Sequence, residues 1–166
     1  MLGINLIFAG FILSLNAFSY KLKFNRDVLA YANLFVGIIM LFNSFLGIAM
    51  ATEMAEYCGN AGGVLFGLNY LLIFASHKMR DDNFFVFGFF QLFAGISSAL
   101  FSVYSMHTGV MWLSALWASW AILWLNGFMD GLLQIKFAQK LTFWLLLFNG
   151  VVTTFAVGFL IFFEII

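Results

Sequence analysis

Residues 84–133, FFVFGFFQLFAGISSALFSVYSMHTGVMWLSALWASWAILWLNGFMDGLL, contain no Lys, Arg or Glu, and Asp130 is their only carboxylate. His107, Thr108 and Gly109 break the stretch into two apolar runs, at about residues 84–105 and 110–133. Each run is long enough to cross the roughly 30 Å hydrocarbon core of a bilayer as a helix of about 20 residues. Neither alternates apolar with polar at every second position, as a strand of a membrane barrel does, so both read as helices. Working outward, the same pattern recurs at about residues 2–20, 28–50, 61–76 and 142–164. The third run is short, and Gly59, Gly63 and Gly67 suggest that its helix starts before residue 61.

The whole chain is therefore read as one all-α integral membrane domain of six transmembrane helices over residues 1–166. Its composition, 64% hydrophobic and 8% charged with zero net charge, leaves no room for a soluble catalytic domain. Seven Lys and Arg balanced by seven Asp and Glu exclude a basic nucleic-acid binder. The single Cys58 excludes a disulfide framework, and no metal cluster or cofactor is expected. An enzyme is not expected either, because His77 and His107 fall at opposite membrane faces and cannot form one catalytic set.

The basic residues Lys21, Lys23, Arg26, Lys78, Arg80, Lys136 and Lys140 all fall in the first, third and fifth connections. Basic residues near helix ends are retained on the cytoplasmic side, which places both termini outside. The opening run, with no positive charge before it and three after, is read as a retained helix rather than a signal peptide.

Charged residues inside a bilayer are expensive and mark ion or proton pathways. Here the middle of every span lacks them. Asp27, Asp81 and Asp82 fall in inner connections, Asp130 lies near the inner end of the fifth helix, Glu164 ends the sixth, and Glu53 and Glu56 are expected in an outer loop. That pattern disfavours coupling to protons or sodium. The spans instead carry neutral amides at Asn5, Asn16, Asn33, Asn43, Asn69, Gln91, Asn126 and Asn149. Such groups suit a neutral polar solute, or simply tie helices together.

Trp117, Trp120 and Trp124 fall within about 60° of helical arc in the middle of their span, away from the interfaces where Trp usually collects. They form either a conduit wall or a packed strip. Leu2, Leu6, Ala9, Leu13 and Asn16 share one face of the first helix, and Phe66 and Tyr70 are one turn apart on the third.

Three stretches together, Met1-Leu2-Gly3 with Gly10 and Leu13-x-x-Asn16, Leu65-Phe66-Gly67-x-x-Tyr70-Leu71, and Trp117-x-x-Trp120-x-x-Leu123-Trp124-Leu125, followed by Thr142-x-Trp144-Leu145 and Thr153, resemble the AmiS/UreI family of bacterial urea channels and amide transporters. The resemblance extends over nearly the whole chain. It implies a hexameric ring in the bacterial cytoplasmic (inner) membrane, with lipid around it and one narrow conduit per protomer. It places Leu2, Leu6, Leu13, Phe66, Tyr70, Trp117, Trp120, Leu123 and Trp124 on the conduit wall, with Asn16 and Asn149 as hydrogen-bonding relay points. The family's urea channels carry a pore Glu where Asn149 stands, and a Trp and a Pro where Phe155 and Val157 stand. Urea and a short amide therefore both stay open as substrates.

A tight slot of Leu and aromatic side chains would reject ions, which lose their hydration there without replacement, and pass a flat neutral amide. Acid-activated family members have a longer outer loop with several His, residues whose protonation at about pH 5 to 6 can act as a switch. Here the outer connections offer only Glu53, Glu56 and His107 as candidate gating groups, so little opening by acid is expected. The alternatives are a proton-coupled amide transporter, or a non-transporting scaffold that docks a cytoplasmic urease or amidase.

Overall fold

The computed structural model describes residues 2–79 and 85–165. Met1, Arg80, Asp81, Asp82 and Phe84, each part of the reading above, lie outside the described residues. Among the described residues the chain forms six long helices: α1 (Leu2–Ser19), α2 (Arg26–Met50), α3 (Met54–Met79), α4 (Phe85–His107), α5 (Met111–Gly131) and α6 (Lys136–Phe162). All but α5 are long and apolar enough to cross a membrane. The 21 residues of α5 include four Trp together with Ser, Asn and Asp, and this helix buries three of its indoles, Trp117, Trp120 and Trp124, while Trp112 is exposed.

Local chemistry sets the helix starts. The Asn25 side chain accepts hydrogen bonds from the backbone N–H groups of Asp27 and Val28, and Asp27 adds a negative charge to the first turn of α2. α3 begins at Met54, well before residue 61, because the Glu56 carboxylate accepts from the N–H groups of Thr52 and Glu53. Glu56 is therefore part of a helix cap and not a loop residue. α6 begins at Lys136 rather than near 142; Lys136, Gln139 and Lys140 are exposed polar residues on a turn that extends past the apolar run.

Within α6, residues Asn149–Ala156 widen into a π-helix. The Thr154 hydroxyl lies within hydrogen-bonding distance of both the Asn149 and Gly150 carbonyls, at 2.8 Å each, and the Thr153 hydroxyl within 3.1 Å of the Asn149 carbonyl. Hydroxyls that take up carbonyls of the preceding turn compete with the regular ladder there.

α2 packs most extensively on α3, and α4 on α5; α1 lies against α2, α3 and α6 and closes the bundle. Half of the apolar stretch of α1 and 44% of that of α3 are buried, against 33% for α2 and 28% each for α4 and α6. α1 and α3, together with α5 through its buried Trp117, Trp120, Leu123 and Trp124, form the inner wall, and the even-numbered helices its outer layer. α1 meets α6 backbone to backbone: a Cβ on Gly10 would stand 2.6 Å from the Phe155 nitrogen and 2.7 Å from the Gly150 oxygen. Small residues permit that approach where a side chain would not. Of the glycines at 59, 63 and 67, Gly63 and Gly67 also allow close approach, an added Cβ meeting Ser44 and Asn5 at the first and Leu41 at 2.7 Å at the second, whereas Gly59 meets only Leu2, at 3.8 Å.

The Lys78 ammonium pairs with Asp27 at 2.9 Å and lies over the Tyr31 ring, Arg26 Nε donates to His77 Nδ1, and Lys21 lies over the Phe143 ring. These contacts gather the α1–α2 connection, the end of α3 and the start of α6 at one end of the bundle.

Candidate functional site

Leu6, Leu13, Phe66, Tyr70, Trp117, Trp120, Leu123 and Trp124, spread over more than a hundred residues of sequence, meet in one buried cluster, with Leu2 packed against it. α1, α3 and α5 supply all of them. The Phe66 ring lies 4.6 Å from Trp124 and, edge-on, 5.2 Å from Trp120. Trp120 meets Trp117 at 4.8 Å, and Trp117 meets Phe101 of α4 at 4.7 Å. A methyl group on Gly62 would come within 2.2 Å of the Trp117 ring, so α3 must carry glycine there to seat that indole. Among the described residues, the buried polar side chains are Asn, Gln, Ser and Thr, and none is Lys, Arg, Asp, Glu or His. The polar atoms of the cluster are few: Trp120 Nε1 donates to the Thr153 hydroxyl at 2.9 Å, the Tyr70 hydroxyl donates to the Ala9 carbonyl at 3.5 Å, and Trp117 Nε1 is buried without a partner among the described residues.

On the side of the basic connections the cluster opens into a cavity of about 380 Å³. Leu13, Leu123 and Trp124 form part of its wall, and all six helices contribute to it. The rest of the lining mixes apolar Leu29, Ile73, Phe87 and Leu146 with a set of paired polar side chains. Asn16 and Asn33 exchange reciprocal amide hydrogen bonds of 2.9 Å, so α1 is tied to α2. The Gln91 amide donates to Asn69 Oδ1, tying α4 to α3. Asn126 Nδ2 donates to the Thr142 hydroxyl at 3.0 Å, and that hydroxyl donates to Asp130 Oδ2, tying α5 to α6. Gln91 is seated by Gly127, where an added Cβ would stand 2.6 Å from Gln91 Oε1.

Asn16 thus lines the cavity, as a relay point would. Asn149 does not: its Nδ2 donates to the Leu145 carbonyl, and its Oδ1 accepts from the Ser119 and Thr153 hydroxyls. Fully buried between α5 and α6, it stands behind the wall and reaches it only through Thr153 and Trp120. Asn149 is therefore not among the residues that line this cavity. Glu53 and Glu56 stand at the start of α3, and His107 is the exposed last residue of α4. Glu56 precedes the apolar run of α3, and the N–H groups of Thr52 and Glu53 hold its carboxyl below its usual range.

Sequence reading missed the Asn69–Gln91 pair, Ser119, Thr153 as the partner of Trp120, and the Thr142–Asp130 contact. The threonines at 153 and 154, four and five residues after Asn149, were the available signal.

The AmiS/UreI family transporter model matches residues 1–165. The chain belongs to the AmiS/UreI family. It is 26% and 25% identical, over 99% of its length and 98% of theirs, to two proteins named acid-activated urea channel from Helicobacter pylori strains. Those alignments run over 194 positions against 166 residues here, so at least 28 positions of the relatives have no counterpart in this AmiS/UreI member. The fold matches the H. pylori urea channel solved in a closed state by cryoEM, with a TM-score of 0.88, 25% identity and full coverage of both chains. It matches the crystal structure of the urea channel of the same bacterium with a TM-score of 0.85, 24% identity and 99% and 98% coverage. The AmiS/UreI chain is accordingly a multi-pass membrane protein built on the urea-channel fold.

Proposed function

We propose that this chain is a passive conduit for urea and short-chain amides in a bacterial cytoplasmic membrane. The observation that carries the reading is the junction of a carboxamide-lined cavity with an aromatic constriction free of charged side chains. Kinship with proteins named as urea channels supports it. The basic end faces the cytoplasm, so the cavity is an inner vestibule and both termini lie outside. The chain acts as a single six-helix domain, in a homohexamer with one conduit per protomer as the family resemblance implies. Lipid meets its exposed Phe-rich faces, and a cytoplasmic urease or amidase consumes the solute. It needs no cofactor and catalyses no reaction.

Leu2, Leu6, Leu13, Phe66, Tyr70, Trp117, Trp120, Leu123 and Trp124 form the dry wall. A bare ion finds no ligands there and is turned back by the cost of lost hydration. A planar amide slides between rings, and the unpaired Trp117 N–H offers its carbonyl a donor on the way.

Acid gating is weak in this reading. The outer connections hold no His cluster, and Glu56, whose pKa is lowered, stays ionised through the weakly acidic range and keeps the start of α3 capped. Stopped-flow light scattering on proteoliposomes tests the proposal. Urea and acetamide flux should exceed that of empty liposomes, resist an uncoupler and change less than about twofold between neutral and acidic medium. Trp124→Ala should admit larger amides. Flux equal to that of empty liposomes would favour the scaffold, and collapse with an uncoupler would favour coupled transport.

A further inference from the structure

The conduit reading leaves one group of the inner vestibule without a task. Asp130, half-buried at the end of α5, carries a carboxylate into a cavity whose other polar lining, apart from His77, is amide and hydroxyl. Its Oδ2 accepts from the Thr142 hydroxyl, which Asn126 holds in turn at 3.0 Å, so the carboxylate is oriented by a chain of two hydrogen bonds from α5 and α6. The cavity, at about 380 Å³, is on the order of ten water volumes and takes a small solute with room to turn.

A carboxylate accepts two parallel N–H bonds from a planar fork better than it accepts one, as the geometry of its pairs with guanidinium shows. Urea presents such a fork on the edge opposite its carbonyl, one N–H from each nitrogen. A short monoamide has carbon in place of one nitrogen and presents a single N–H on that edge. Resting on the conduit reading, we infer that Asp130 is a specificity-determining residue that receives the paired N–H groups of urea-type solutes and favours them over monoamides at the inner mouth. The neighbouring amides of Asn16, Asn69 and Gln91 are committed to one another or to Asn33 and serve either solute alike.

The test is the ratio of urea to acetamide permeability in proteoliposomes, measured well below saturation, where flux follows occupancy of the vestibule. Asp130→Asn keeps the shape and can still accept from Thr142, but offers only one acceptor. It should lower the ratio by about tenfold or more, the worth of one hydrogen bond to a charged group. Asp130→Glu should retain most of the preference. Asp130→Ser, which removes the carboxylate without adding bulk, should lower the ratio as Asn does and serves if the Asn variant does not assemble. Thr142→Val breaks the same α5–α6 contact and releases the carboxylate from its orienting bond without removing it, and should retain more of the preference than Asp130→Asn does. An unchanged ratio in Asp130→Asn and Asp130→Ser, with measurable flux, overturns the assignment, as does an equal loss of preference in Thr142→Val. Absence of flux in the native protein overturns the conduit reading itself, and this inference with it.

Discussion

Around Phe66, Trp120 and Trp124 the three inner helices meet through rings and leucines, and one indole N–H is paired while another is not. Toward the basic end the same helices, joined by their outer neighbours, meet through Asn16 with Asn33, Asn69 with Gln91, and Asn126 with Thr142 and Asp130. The two regions differ in how tightly each contact is specified. Ring contacts are only weakly directional, and each fills volume that other apolar groups can also fill. Amide pairs are directional, so each depends on one partner in one rotamer. The dry region therefore makes a barrier that is severe for charge and adaptable in shape, whereas the wet region fixes which helix faces which.

This contrast can be broken most strongly in the dry middle. Phe66→Ala removes the ring that both Trp120 and Trp124 rest on, and should destabilise the protein by about 3 to 5 kcal/mol, as ring-to-methyl truncations in packed cores do. Unfolding in detergent would show it, and liposomes should leak larger amides in parallel. A loss below about 1 kcal/mol would mean that the rings are not tightly packed.

The next largest effect belongs to the vestibule and has a distinctive sign. Asn33→Leu strands the buried Asn16 amide and should cost about 1 to 3 kcal/mol, whereas Asn16→Leu with Asn33→Leu together should cost less than either alone. Additive losses in that double-mutant cycle would show that the pair is not a closed unit. The smallest effect tests the polar exception within the dry region. Trp120→Phe keeps a ring but loses the bond to Thr153, and should cost about 1 kcal/mol with little change in the barrier to ions. A conductance for small cations in that variant would show that the indole N–H, and not the apolar wall, supports the exclusion.

Much of the architecture was legible in advance because lipid imposes a simple rule: helices must be apolar for the bilayer thickness, and their number and approximate positions follow from hydropathy. The ends were less legible. Met54 and Lys136 begin their helices earlier than the apolar runs do, because a cap at Glu56 and an exposed polar turn at Lys136–Lys140 are helical for reasons unrelated to hydropathy. The wall residues could be named from the spacing of Trp117, Trp120 and Trp124 and from family likeness, since a face is a property of one helix. Asn149 could not be placed that way. Its environment depends on Ser119 of another helix and on a π-helical turn that two threonines open.

The sequence by itself determined a membrane protein of apolar helices, an end rich in basic residues and a middle free of charge, because each is a property of composition along the chain. Only the tertiary structure decided that α1, α3 and α5 are the inner helices, that Gln91 sits over Gly127, that Asn149 faces away from the cavity and that Asp130 faces into it. Those facts depend on which helices are neighbours and how each is rotated. Helix rotation within an apolar bundle is set by close packing and paired amides, and no single segment encodes it.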